Sequence, residues 1–136
     1  MSEKISIQAR IAAERPKVWA YYTQPEHITQ WNFASPDWHC PSAKNDLQVG
    51  GTYQSRMEAK DGSMGFDFIA TYTAVDLGKS FTYVLEDGRQ VEVVMNDHPN
   101  ETVVSIVFDA ESQNPVELQR QGWQAILDNF KKYAEQ

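Results

Sequence analysis

The side chains best equipped for chemistry in this chain are charges set inside segments of alternating polarity: Arg56, Glu58, Asp67 and Arg89. A guanidinium flanked by two carboxylates can hold a polar ligand group, or shift a carboxylate pKa far enough for acid–base work. Both roles require the charges to face the protein interior. Side chains alternate in direction along a strand, so Arg56 and Glu58 share one face of TYQSRMEAK and Tyr53, Met57 and Ala59 share the other. The apolar set should point inward, leaving the charges as weak pairs in water. The opposite parity would bury the charges and open a reading as an enzyme. Glu58 and Asp67 would then be acid–base groups and Arg56 an electrostatic stabiliser.

Other reactive residues point to no site. His39 adjoins Cys40, while His27 and His98 lie in different segments without metal-ligand spacing. The expectation is no metal and no cofactor. Nothing around Cys40 signals a lowered thiol pKa, so it reads as a small packed residue. Gly50-Gly51 precedes a strand pattern and is not followed by Lys-Ser or Lys-Thr, so it is a bend and not a phosphate loop. No catalytic residue is assigned.

The elements that must carry these residues follow from periodicity. Ile5, Ile7, Ala9 and Ile11 alternate with polar residues as in a strand with one wet face. Pro16 suits a helix start, and Val18, Trp19 and Tyr22 recur at helical spacing; Pro25 opens a second short helix with Ile28 and Trp31 on one face. From Asn32 to Gly51, two prolines, a Gly-Gly pair and weak periodicity predict a long irregular segment. Within it, Phe33 to Lys44 is a candidate lid. Beyond Gly51 the period is two, and turn residues divide the chain into a meander of about five strands. The tail places Leu118, Gly122, Trp123, Ile126, Phe130 and Tyr133 or Ala134 on one helical stripe, predicting a long amphipathic helix from Pro115 to Ala134. Gly122 would allow close approach of that helix to a sheet. An antiparallel sheet with one apolar face needs a cover, and only this helix is long enough.

The chain has 136 residues, enough for one core and one domain, 1–136. Its net charge of -7 opposes nucleic acid and anionic lipid as partners. It has no apolar run long enough to span a bilayer, and its N-terminus alternates where a signal peptide would be continuously apolar. With one cysteine and hence no internal disulfide, a cytoplasmic location is expected.

Taken in order, Val18-Trp19, Pro25-Glu26 to Trp31, Trp38 with His39-Cys40-Pro41, Gly50-Gly51-Thr52-Tyr53, Met57-Glu58-Ala59 with Asp61-Gly62, Gly65 to Phe68, Thr71-Tyr72 and Gln121-Gly122-Trp123 carry a resemblance over almost the whole chain. It resembles the SRPBCC or START-related helix-grip superfamily, which includes the birch-pollen allergen and polyketide-cyclase-like and CalC-like proteins. More narrowly it resembles the branch related to the activator of the heat-shock-protein-90 ATPase. The resemblance implies an α+β fold, in which a curved antiparallel sheet wraps a long C-terminal helix and two short helices follow strand one. It also implies a hollow that holds a small hydrophobic ligand, whether aromatic, polyketide-like or acyl, with a chaperone as the alternative partner and a cyclase- or hydrolase-like enzyme in the same cavity as the further alternative. Eleven aromatics could line such a hollow or fill a core: Trp31, Phe33, Trp38, Tyr53, Phe66, Phe68, Tyr72, Phe81, Tyr83, Trp123 and Phe130. The expected ligand-binding set is Trp31, Phe33, Trp38, Tyr53, Phe68, Tyr72, Trp123, Ile126 and Phe130.

Overall fold

The alternating N-terminal segment forms strand β1, Lys4–Ile11, with Ile5, Ile7, Ala9 and Ile11 buried and the residues between them exposed. The computed structural model describes residues 3–136. After β1 come helices α1 (Arg15–Thr23) and α2 (Pro25–Trp31), each with proline in its first turn, where the missing N–H costs nothing. Strands β2 (Trp38–Asn45), β3 (Thr52–Ala59), β4 (Gly65–Asp76), β5 (Ser80–Leu85), β6 (Gln90–His98) and β7 (Glu101–Asp109) precede helix α3 (Val116–Ala134). All seven strands form one curved antiparallel sheet in the order β1-β7-β6-β5-β4-β3-β2. Its concave face holds α3, which is the helix-grip α+β architecture.

Strand β2 corrects the sequence reading of 32–51 as irregular. It pairs with β3 from Trp38↔Ala59 to Asn45↔Tyr53, with a register break between His39 and Ser42. An edge strand that contains Pro41 and a bulge has no need of strict alternation, so its sequence lacks the period that marks the others. The same pairing removes the proposed lid, since most of Phe33 to Lys44 is hydrogen-bonded into the sheet.

Both sheet edges are covered, which protects backbone groups that would otherwise recruit another strand. Helix α2 packs on β2, and Asn45 Nδ2 donates to the Thr23 carbonyl at 2.7 Å. On the β1 edge, α3 supplies Gln124 Nε2 to the Gln8 carbonyl at 3.2 Å and Lys131 Nζ to the Arg10 carbonyl at 2.6 Å.

The α3 stripe differs from expectation at its start. Leu118 is 56% exposed, and Val116 makes the apolar contact of the first turn instead. A Cβ added to Gly122 would meet nothing within 4 Å, so this glycine is not what permits helix–sheet approach. Trp123, Ile126, Leu127, Phe130 and Ala134 make the contact.

Lys4 Nζ lies 2.6 Å from Asp109 Oδ1, across the β1–β7 pair, and the Gln90 N–H donates to Oδ2 at 2.8 Å. These partners, Lys4 first, hold the Asp109 carboxyl below its ordinary range. A carboxylate with a lowered folded-state pKa adds stability that is complete above its unfolded value, about pH 4, and is lost as pH falls through the folded value. Denaturant melts between pH 6 and pH 2 should therefore show a shallower loss of stability for Asp109→Asn than for the wild type. Parallel pH profiles would contradict this assignment.

Candidate functional site

Between α3 and the concave sheet lies a cavity of about 250 Å³. Strand parity builds most of its wall. Tyr53 and Met57 of β3, Phe66, Phe68 and Tyr72 of β4, and Phe81 and Tyr83 of β5 all border it. The registers Ser55↔Phe68, Met57↔Phe66 and Tyr72↔Tyr83 bring their shared face together. Phe81 shares that face because it lies two residues from Tyr83 in β5. Helices α1 and α2 close one side with Tyr22, Trp31 and the adjoining Asn32, and α3 roofs it with Trp123, Ile126 and Leu127. Ile106 and Arg89 complete the lining.

The rings brace one another. Tyr53 stacks on Tyr83 at 5.7 Å between centroids, Phe68 meets both edge-on, and Tyr22 stacks on Trp31 at 4.9 Å. Trp123 lies flat on Phe108 at 4.0 Å and 13°, and presents an edge contact to Phe68 at 6.2 Å. Offset and edge-on arrangements of this kind are favourable beyond their buried area, so the wall is pre-formed.

Some polar groups in the wall are engaged. Asn32 Nδ2 donates to Ser55 Oγ at 3.0 Å and to the Tyr53 hydroxyl at 3.5 Å, and the Tyr72 hydroxyl donates to Asn45 Oδ1 at 2.7 Å. Burial is the first cause that raises the pKa of Tyr22, Tyr53, Tyr72 and Tyr83 well above the ordinary phenol value. These four stay neutral in the folded state. An acid whose folded pKa is raised contributes stability that is complete below its unfolded value, about 10, and is lost as pH rises above that. Alkaline titration followed by phenolate absorbance should therefore show these four ionising only together with loss of tryptophan tertiary signal. Early ionisation of a mutation-assigned cavity tyrosine in the native protein would contradict the packing described.

The charged cluster lies elsewhere. Arg56, opposite Asp67 in register, places Nε 2.8 Å from Glu58 Oε2 and Nη1 3.6 Å from Asp67 Oδ1, while His39 Nε2 is 3.7 Å from Glu58 Oε1. These side chains are 36–45% exposed on the outer face, and Tyr53, Ser55, Met57 and Ala59 are buried on the inner one. No acid–base constellation built on Glu58 and Asp67 faces the cavity. Cys40 is buried, and that burial raises its thiol pKa, the opposite of an activated nucleophile. Among the described residues, no group of three or more His, Cys, Asp and Glu side chains is placed to hold a metal ion.

Of the residues expected in a binding wall, Trp31, Tyr53, Phe68, Tyr72, Trp123 and Ile126 border the cavity. Phe130 is 0% exposed and sits outside the lining, edge-on to Trp31 and Tyr22. Phe33 and Trp38 are not brought to it either; Trp38 opens β2, its ring 6.1 Å from Phe66. The expected binding set omitted Tyr22, Asn32, Met57, Phe66, Phe81, Tyr83, Arg89, Ile106 and Leu127, which also line the cavity. Met57 had a legible signal, since it shares the parity of Tyr53. Arg89 was legible as a charge equipped for chemistry but not as a wall residue, because it follows the Asp87-Gly88 turn, where the alternation of β5 no longer applies.

Comparison with known proteins agrees with the fold. The solved structure of the AHSA1-like protein from Aeromonas hydrophila is 46% identical, with a TM-score of 0.92 over 98% of this chain and 92% of that one. A protein from Cytophaga hutchinsonii is also 46% identical, with a TM-score of 0.84 over 97% of this chain and 92% of the other. At 19% identity, a protein from Chromobacterium violaceum shares the fold, with a TM-score of 0.86 over 98% and 97% of the two chains. No curated protein matches the sequence. The family profile described as "Activator of Hsp90 ATPase homolog 1-like protein" matches residues 12–135. With nearly the whole length matched and the helix-grip sheet in place, the chain belongs to the Activator of Hsp90 ATPase homolog 1-like family.

Proposed function

We propose that this protein binds a small, apolar, ring-containing molecule in the cavity between α3 and the sheet, and does no chemistry on it. The observation that carries this reading is a hollow of about 250 Å³ walled mainly by aromatic rings. A dry apolar cavity of about 150 Å³ accommodates benzene, so this one suits about two fused rings and is small for a long acyl chain. The lining contains no carboxylate, histidine or cysteine, which favours a carrier or sensor over a catalyst. Expected wall residues Trp31, Tyr53, Phe68, Tyr72, Trp123 and Ile126 would contact the ligand directly.

The test is a panel of naphthalene derivatives beside fatty acids of graded length, read by tryptophan fluorescence and melting temperature. Ligand at about a hundred times its Kd should stabilise by about 2.7 kcal/mol. Fused-ring compounds that change neither signal would end the binding reading. A second reading, as a partner of a chaperone ATPase, draws on the family description and on Met64 and Phe66, 65% and 47% exposed around the β3–β4 turn. It is tested by adding the protein to the cognate chaperone and measuring ATP hydrolysis. The lone, buried Cys40 fits a reducing, cytoplasmic location, which cell fractionation would check.

A further inference from the structure

The lining has one formal charge, the guanidinium of Arg89, which borders both the cavity and an adjoining outer groove. Its placement is built into the β5–β6 turn. Gly88 takes φ +92°, and Asp87 receives the Arg89 N–H on Oδ1 at 3.1 Å and Nε on Oδ2 at 2.8 Å. The carboxylate thus engages the Nε edge. Among the described residues neither terminal Nη group has a hydrogen-bond partner.

A second observation points to the same kind of ligand. Tyr83 is 6% exposed and borders the cavity, yet its hydroxyl has no hydrogen-bond partner among the described residues; the Tyr22 hydroxyl is in the same position. Neither hydroxyl is sealed off from the cavity, so each is free to meet a polar group there. The cavity therefore offers a cationic fork and two unengaged phenols, and no carboxylate. Such a donor set fits oxygen acceptors, and a guanidinium with a free edge fits a carboxylate best.

We propose that the cavity selects an aromatic carboxylic acid of about two fused rings, with its carboxylate on the free Nη edge of Arg89 and its ring body against Phe68, Tyr83 and Trp123. This deepens the binding reading above and rests on it. Asp67, Glu86 and Asp87 line the outer groove, and the chain as a whole carries -7, so the surroundings oppose an acid at long range. A preference for the acid must then come from the direct contact. Salt should strengthen acid binding slightly by screening the repulsion, while the contact itself survives.

The experiment compares 2-naphthoate, its methyl ester and naphthalene by calorimetric titration at pH 7.5, on the wild type, Arg89→Gln and Arg89→Met. The expected result is at least about tenfold tighter binding of 2-naphthoate than of the ester to the wild type. Both variants should lose that ratio while keeping affinity for the ester and naphthalene. An ester that binds the wild type as tightly as the acid overturns the selectivity and leaves cavity binding intact. A ratio that persists in both variants removes Arg89 as its source. If none of the three binds, the cavity reading falls together with the proposal. The wild-type ratio is decisive even where a variant fails to fold.

Discussion

Phe130→Ala is expected to lower the unfolding free energy by about 3–5 kcal/mol, the range for removing a fully buried aromatic ring whose surroundings collapse only partly. Phe130 is 0% exposed and contacts Trp31 edge-on at 5.0 Å and Tyr22 at 5.1 Å. It thereby ties α3 to both short helices. Its removal leaves an empty space directly behind the cavity wall, and Trp31 and Tyr22 have little freedom to fill it because they are stacked on each other. For a domain of this size the change corresponds to a fall in Tm on the order of 10–20 °C. Denaturant melts that show a lower midpoint at unchanged slope would measure it directly. A loss under about 1.5 kcal/mol would mean that the neighbouring rings collapse into the space.

Trp123→Ala should give the opposite balance, with a smaller loss of stability and a larger loss of binding. One face of the indole lies on Phe108 at 4.0 Å, and Phe108 is 1% exposed, so that face is part of the core. The ring also borders the cavity, where part of its surface already lacks packing partners. Truncation therefore forfeits the stack and only a portion of the usual packing, about 2–3 kcal/mol. A ring-shaped ligand loses the edge of its site, and affinity should fall by about tenfold, equivalent to about 1.4 kcal/mol. The check is the pair of measurements on one preparation: a denaturant melt and a titration with a fused-ring compound. A loss above about 4 kcal/mol with unchanged affinity would place Trp123 in a filled core and move any ligand elsewhere.

The contrast between these two residues marks where sequence reasoning stops. Phe130 and Trp123 lie on the same stripe of α3, seven residues apart, and periodicity treats them alike. Periodicity reports which way a side chain points from its own helix or strand. It is silent on whether the space it points into is full, because that depends on the curvature of a sheet formed from seven strands distant in sequence.

Local rules decided much else from the sequence. Alternation in Lys4–Ile11 and in Thr52–Ala59 favoured Ile5, Ile7, Tyr53 and Met57 inward and Arg56 and Glu58 in water, because a buried charge costs far more than a buried methyl group returns, and the structure decided the parity of the second strand. Prolines and turn residues located α1, α2 and the hairpin turns, since φ restriction and the missing N–H act within a few residues. Tertiary structure decided the rest. Strand β2 exists because β3 offers it a hydrogen-bonding edge, which is a property of the sheet and not of WHCPSAKN. Arg89 reaches the cavity because a Gly88 turn at positive φ and the Asp87 carboxylate aim it there. The cavity itself is the difference between the curvature of the sheet and the width of α3, and no residue encodes that difference alone.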